Sequence, residues 1–91
     1  MDAKTFSALA EPNRFRIIEL LREQPHSVNE FVRLLKIRQP QASKHLRILN
    51  DAGLVIVQPV AQQRIYTLNP DAFLLLRYAF RKTKKHLKDG Q

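Results

Sequence analysis

With 91 residues the chain has room for one domain built on a single small core. Sixteen Lys and Arg against eight Asp and Glu leave a formal charge of +8 and a pI near 10.5, which favours a polyanionic partner, nucleic acid ahead of an anionic membrane surface. The absence of cysteine excludes disulfides, thiolate metal sites and cysteine catalysis, and 44% apolar residues mark a folded rather than a disordered chain.

The start, Met1-Asp2-Ala3-Lys4, lacks a basic segment leading into an apolar run. No apolar stretch approaches the ~20 residues a membrane span requires, so the expected setting is the cytoplasm, with no membrane partner. Phe6, Leu9 and Ala10 recur at helical spacing and predict a short helix over Thr5 to Ala10 that must pack on something to persist. Glu11-Pro12-Asn13 interrupts and restarts the chain. From Pro12 to about Glu23, Phe15, Ile17, Ile18, Leu20 and Leu21 cover a wide arc and predict a helix enclosed on several sides. His26, in the break that follows, is expected to be exposed. Ser27-Val28-Asn29-Glu30 has the form of a capping box and opens a helix from Val28 to about Leu35.

A four-residue turn, Lys36 to Gln39, then leads into the helix around which the chain is organised. Pro40 suits its first turn and Gly53 its stop, while Ala42, Leu46 and Leu49 share one stripe and Ser43, Lys44 and Arg47 lie opposite. A dry back and a basic front, preceded by a helix and a short turn, is the arrangement by which a helix-turn-helix presents side chains to the major groove of double-stranded DNA. Gln39, Pro40, Gln41, Ser43, Lys44 and Arg47 are the candidate contacts. Arg or Lys suits guanine, Gln suits adenine, and Ser suits phosphate or either base edge.

After Gly53 the pattern changes to β-branched and aromatic runs, Leu54 to Val57 and Arg64 to Leu68, which predict a hairpin with a loose polar tip over 58–63. Placed behind a recognition helix, such a hairpin is a wing, with Gln62, Gln63 and Arg64 as weaker candidates for backbone contact. Asn69-Pro70-Asp71 punctuates again before a last helix to about Lys88. Its apolar residues, Phe73 to Leu76, Tyr78, Ala79, Phe80 and Leu87, cover more circumference than one docked face needs, and a second copy of the chain is the simplest cover for the surplus.

Three stretches together resemble the ArsR/SmtB family of winged-helix repressors: Phe6 to Leu21 with Ala8-Leu9-Ala10-Glu11-Pro12-Asn13-Arg14, Gln41 to Val55 with Ser43-Lys44-His45-Leu46 and Ala52-Gly53-Leu54-Val55, and Arg64 to Leu68. The resemblance spans essentially the whole chain. It implies a mainly α fold with a β-hairpin, a winged helix-turn-helix in the order α-α-α-α-β-β-α, that is homodimeric through its first and last helices. In residue terms this is one domain over 1–91, with the helix-turn-helix at about 27–50, the wing at about 54–68 and dimerisation helices at about 4–10 and 71–88. Phe6, Leu9, Phe73, Leu76 and Phe80 are the expected dimer contacts. The implied function is sequence-specific DNA binding as a bacterial transcriptional repressor.

Where the family places a Cys-x-Cys metal site this chain has Ser27 and Asn29, and its last helix pairs Asp71 with a distant His86; hydroxyl and amide oxygens are poor ligands for soft metals. The metal-independent branch is therefore the expectation, with no metal and no cofactor. Catalysis is not expected either. Ser43 and His45 stand two apart on a helix and point away from each other, and Gly53 and Gly90, the two glycines, cannot form a phosphate-binding loop. The rival functions are a winged-helix protein-interaction module and a basic protein that binds DNA without sequence preference. The operator, the regulated genes and any effector are not legible in the residues.

Overall fold

The computed structural model describes residues 3–72, 74, 76–78 and 81. Two helices open the chain, α1 (Ala3–Leu9) and α2 (Pro12–Leu21). The break between them is set by Glu11, whose extended backbone and carboxylate, accepting from the Arg14 N–H at 2.9 Å, cap α2 ahead of Pro12. Ile17, Ile18 and Leu21 carry α2 into the core.

A two-residue strand, β1 (His26–Ser27), precedes α3 (Val28–Leu35). The capping box is closed in both directions: Ser27 Oγ accepts from the Glu30 N–H at 3.2 Å, and Glu30 Oε1 accepts from the Ser27 N–H at 2.9 Å. α3 stops because Lys36 turns into the left-handed region, φ 56° and ψ 46°. A side chain at such a position costs ~1–2 kcal/mol, and here it lets the chain reverse into α4 (Gln39–Asp51) within three residues. α4 begins with the Arg38 N–H donating to Gln41 Oε1 at 3.0 Å and ends at Gly53, φ 77°, around which a Cβ would meet nothing within 4 Å. Glycine is required there by the backbone alone.

The wing consists of β2 (Val55–Val60) and β3 (Gln63–Leu68), paired antiparallel from Val55↔Leu68 to Val60↔Gln63. The expected loose tip is in fact tight. Strand pairing continues to the last possible rung, leaving Ala61 and Gln62 as a two-residue turn with Ala61 at φ 56°, the positive value that primed hairpin turns demand. Pro59 does not break β2, because β2 is an edge strand and the rung before a two-residue turn points its nitrogen outward.

β1 has no counterpart among the expected elements. It pairs with β3 through His26↔Tyr66 and Ser27↔Ile65, giving a three-stranded sheet in the order β1-β3-β2. Ser27 thus belongs to the sheet and caps α3 at once, fixing the start of the helix-turn-helix to the wing. His26, expected outside, is 5% exposed, with its ring 5.3 Å from that of Phe31 and its Nδ1 3.2 Å from Glu30 Oε2.

The core gathers Ile17 and Ile18 of α2, Phe31 of α3, Leu46 and Leu49 of α4, Leu54 and Val55 at the foot of β2, and Leu76. After β3 the Asn69 amide donates to the Gly53 carbonyl at 2.9 Å, and a single 3₁₀ turn covers Pro70–Ala72. Residues 74, 76–78 and 81 are helical, and most of the expected last helix, His86 and its basic end included, lies outside the described residues. Among the described residues no helix is long and apolar enough to cross a membrane.

Candidate nucleic-acid interface

Ala42, Leu46 and Leu49 are fully buried. The front of α4 is thereby turned out, and Ser43, Lys44 and Arg47 are exposed. α4 packs against α2, α3 and β2, so its buried row is seated on three elements.

Between the front of α4 and the inner face of the wing runs an open groove of about 810 Å³. Gln39, Pro40, Ser43, Lys44 and Arg47 line one wall and Gln62, Gln63 and Arg64 the other, so the fold brings these eight of the nine sequence candidates to one surface. Gln41 is the exception. Its side-chain oxygen is used in capping α4, and it does not line the groove. Residues that sequence reasoning passed over also face the groove: Ser27, Val28 and Asn29 at the start of α3, Asn50 and Asp51 at the end of α4, and Val57 and Tyr66 at its floor. The signal for Asn29 is its place at the head of a capped helix, where backbone N–H groups are unspent and attract anions.

The groove is basic, with Lys44, Arg47 and Arg64 against Asp51 alone. Its acceptors and donors are of the kind that address phosphates and base edges. Ser27 and Asn29, at the positions where thiolates were the family expectation, are employed otherwise: the Ser27 hydroxyl caps α3 and Asn29 faces the groove. Among the described residues no three His, Cys, Asp or Glu side chains gather in a metal-binding cluster.

Behind α4 lies a second polar feature. Arg14 Nε donates to the Ala8 carbonyl at 2.8 Å, and its Nη1 lies 3.3 Å from His45 Nδ1, with Glu11 Oε2 3.7 Å from the same nitrogen. Burial holds the His45 imidazole below its ordinary pKa; the neighbouring Arg14 and Lys44 charges act in the same direction, and Glu11 opposes them. A neutral ring with an unprotonated Nδ1 is the acceptor that Arg14 requires. Glu30 is likewise held below the usual carboxylate value, first by the N–H of Ser27 and then by His26.

Of the expected dimer contacts, Phe6 is 68% exposed; Leu74 and Tyr78, which are not among them, are exposed as well, at 75% and 58%. Leu9 and Leu76 are buried within the protomer's own core. Phe73 and Phe80 lie outside the described residues.

The family profile described as "Bacterial regulatory protein, arsR family" matches residues 11–57. The chain is 36% identical over 74 residues to the HTH-type transcriptional regulator Rv2034 of Mycobacterium tuberculosis, covering 81% of this chain and 69% of that protein. It is 41% identical over 61 residues to the HTH-type transcriptional repressor SmtB of the same species, where it covers 67% of this chain and only 45% of the repressor. Among solved structures, that of M. tuberculosis Rv0081 superposes with a TM-score of 0.84 at 34% identity, covering 96% of this chain and 89% of that one. The homodimeric winged helix-turn-helix DNA-binding domain of Mb0332 from Mycobacterium bovis superposes with a TM-score of 0.86, covering 96% and 82%; at 24% identity it speaks for the fold.

Proposed function

Because the chain belongs to the arsR family of bacterial regulatory proteins, which are DNA-binding transcriptional regulators and not enzymes, we propose that it acts as a dimeric repressor on a pseudo-palindromic operator. The observation that carries this reading is the buried row Ala42, Leu46 and Leu49, which leaves Ser43, Lys44 and Arg47 facing a groove wide open to solvent. In this reading two recognition helices enter successive major grooves ~34 Å apart. Ser43 and Lys44, early on α4, read base edges. Gln39 and Pro40 set the entry of the helix, Arg47 and Arg64 grip phosphate, and Gln62 and Gln63 touch the backbone from the wing.

The second copy is proposed to cover Phe6, Leu74 and Tyr78, exposed apolar side chains of the first and last helical segments. Repression is proposed to be independent of metal, with a cytoplasmic setting, because Ser27 and Asn29 supply no thiolate and Ser27 already serves as a cap. A gel shift of the protein on a duplex selected from a randomised library, compared with random duplex at two salt concentrations, tests the reading. Preference for the selected duplex is expected, with ~0.9 added to the log–log salt slope for each phosphate neutralised. Equal binding to both duplexes would make it a non-specific DNA binder, and no binding to either would leave the protein-interaction reading. Release of the duplex by stoichiometric metal would overturn metal independence.

A further inference from the structure

We infer that Arg14 is a positioning residue for the recognition helix, tying the end of α1 to the middle of α4 through the Ala8 carbonyl and the His45 imidazole. The inference rests on the repressor reading and deepens it.

The geometry is that of a three-way joint. Glu11 caps α2 with the Arg14 N–H, which fixes the Arg14 backbone. The guanidinium then spans two elements with donors set at a fixed angle, Nε on the last turn of α1 at 2.8 Å and Nη1 on His45 of α4 at 3.3 Å. A planar fork can hold two acceptors in a defined relation, which an ammonium on a flexible stem cannot do. His45 precedes Leu46 on the buried row and follows Lys44 on the DNA-facing side, so a force on its ring acts on the roll of α4 about its axis. Apolar packing seats α4, and the guanidinium fork adds to it two directional hydrogen bonds that hold the ring of His45 at a fixed place relative to α1. α1 also bears Phe6, the exposed residue assigned above to the second copy. Arg14 therefore links the surface that sets the two-fold axis to the helix that must meet two half-sites in register. The charged groups at His45 are Glu11, Arg14 and Lys44, and burial, the largest influence, holds its pKa below the ordinary value.

The test uses the full chain and the library-selected duplex, with Arg14→Ala, His45→Asn, His45→Ala and the double variant Arg14→Ala/His45→Ala. Asparagine keeps an acceptor near the place of Nδ1, and alanine removes it. Arg14→Ala and His45→Ala are each expected to lose about tenfold or more on the selected duplex, while dimerisation and affinity for random duplex stay within about twofold. His45→Asn is expected to stay within about threefold of the parent, and the double variant to be no weaker than either single one. Selected-duplex affinity within about twofold of the parent for Arg14→Ala, equal losses for His45→Asn and His45→Ala, or additive losses in the double variant would each overturn the inference. If Arg14→Ala does not fold, as judged by far-ultraviolet circular dichroism, the two His45 variants decide by the same criterion. A parent chain that shows no preference for its selected duplex would defeat the repressor reading itself, whereas a parent with preference and an Arg14→Ala variant that keeps it would defeat only the joint.

Discussion

The recognition helix and the wing face each other across one groove, yet they are made in opposite ways. α4 is a helix whose two sides have separate work: three fully buried residues seat it, and the exposed side carries hydroxyl, ammonium and guanidinium groups. The hairpin is seated just as firmly, with Val55 and Tyr66 buried and β3 flanked on both edges, but from residue 55 to residue 68 it bears a single cation, Arg64. Its tip is Pro59, Val60, Ala61 and Gln62, with Val60 53% exposed. Firm placement and chemical content are thus separable. In this chain the helix carries both, and the wing is chiefly a wall that bounds the groove.

The comparison breaks first at the seat of the helix. Leu46→Ala should destabilise the protein by about 2–5 kcal/mol, the range for emptying a fully buried leucine site, and thermal melting measures it. A variant that melts like the parent would mean that the apolar back is not what holds α4. Next comes the front. Ser43→Ala together with Lys44→Ala should leave melting and dimerisation unchanged and abolish preference for the selected duplex, at about 1–3 kcal/mol for each base-edge hydrogen-bonding partner removed. Retained preference would move sequence reading elsewhere in the groove, with Asn29 and Asn50 the first alternatives.

On the wing the expected effect is smaller and of a different kind. Arg64→Ala should weaken selected and random duplex alike and lower the salt slope by ~0.9, as removal of one phosphate-neutralising cation does. Loss of preference between the two duplexes would show the wing reading sequence, and the wall picture would fail.

The same division governs what could be read from the residues. α3 and α4 were legible because their determinants are local: the Ser27 and Glu30 cap, Pro40 at the helix start, the three-residue apolar rhythm and Gly53 at the stop all act within a turn or two. The groove was legible as two sets of residues, since burial of one helix face dictates the other. What escaped depends on partners distant in sequence. β1 has only two residues, too few for any periodicity, and exists because Tyr66 and Ile65 return beside it. His26 is buried for the same reason, enclosed once that strand forms. Pro59 reads as a loop former in isolation and is a strand residue only because β2 has a free edge. Arg14 and His45 are thirty-one positions apart, and no spacing rule joins them. That Leu9 and Leu76 join the protomer's own core was not legible either, because apolar surplus on a helix does not say which side the protomer itself will use.

The smallest effect lies at the hairpin tip and bears most directly on the contrast between helix and wing. Ala61 sits at φ 56°, where a Cβ costs ~1–2 kcal/mol, while the greater freedom of glycine in the unfolded chain returns ~0.5–1 kcal/mol of that. Ala61→Gly should therefore stabilise the protein by less than about 1 kcal/mol, a rise of a few degrees in melting temperature, with affinity for the selected duplex unchanged. Lys36→Gly relieves the same conformation in the turn before α4, but it also removes a cation, so its effect on DNA would mix two causes. Ala61 has no such ambiguity, being uncharged. Weaker DNA binding by Ala61→Gly would therefore mean that the tip must be held in one shape to meet the duplex, and that the wing contributes through rigidity what it lacks in charge.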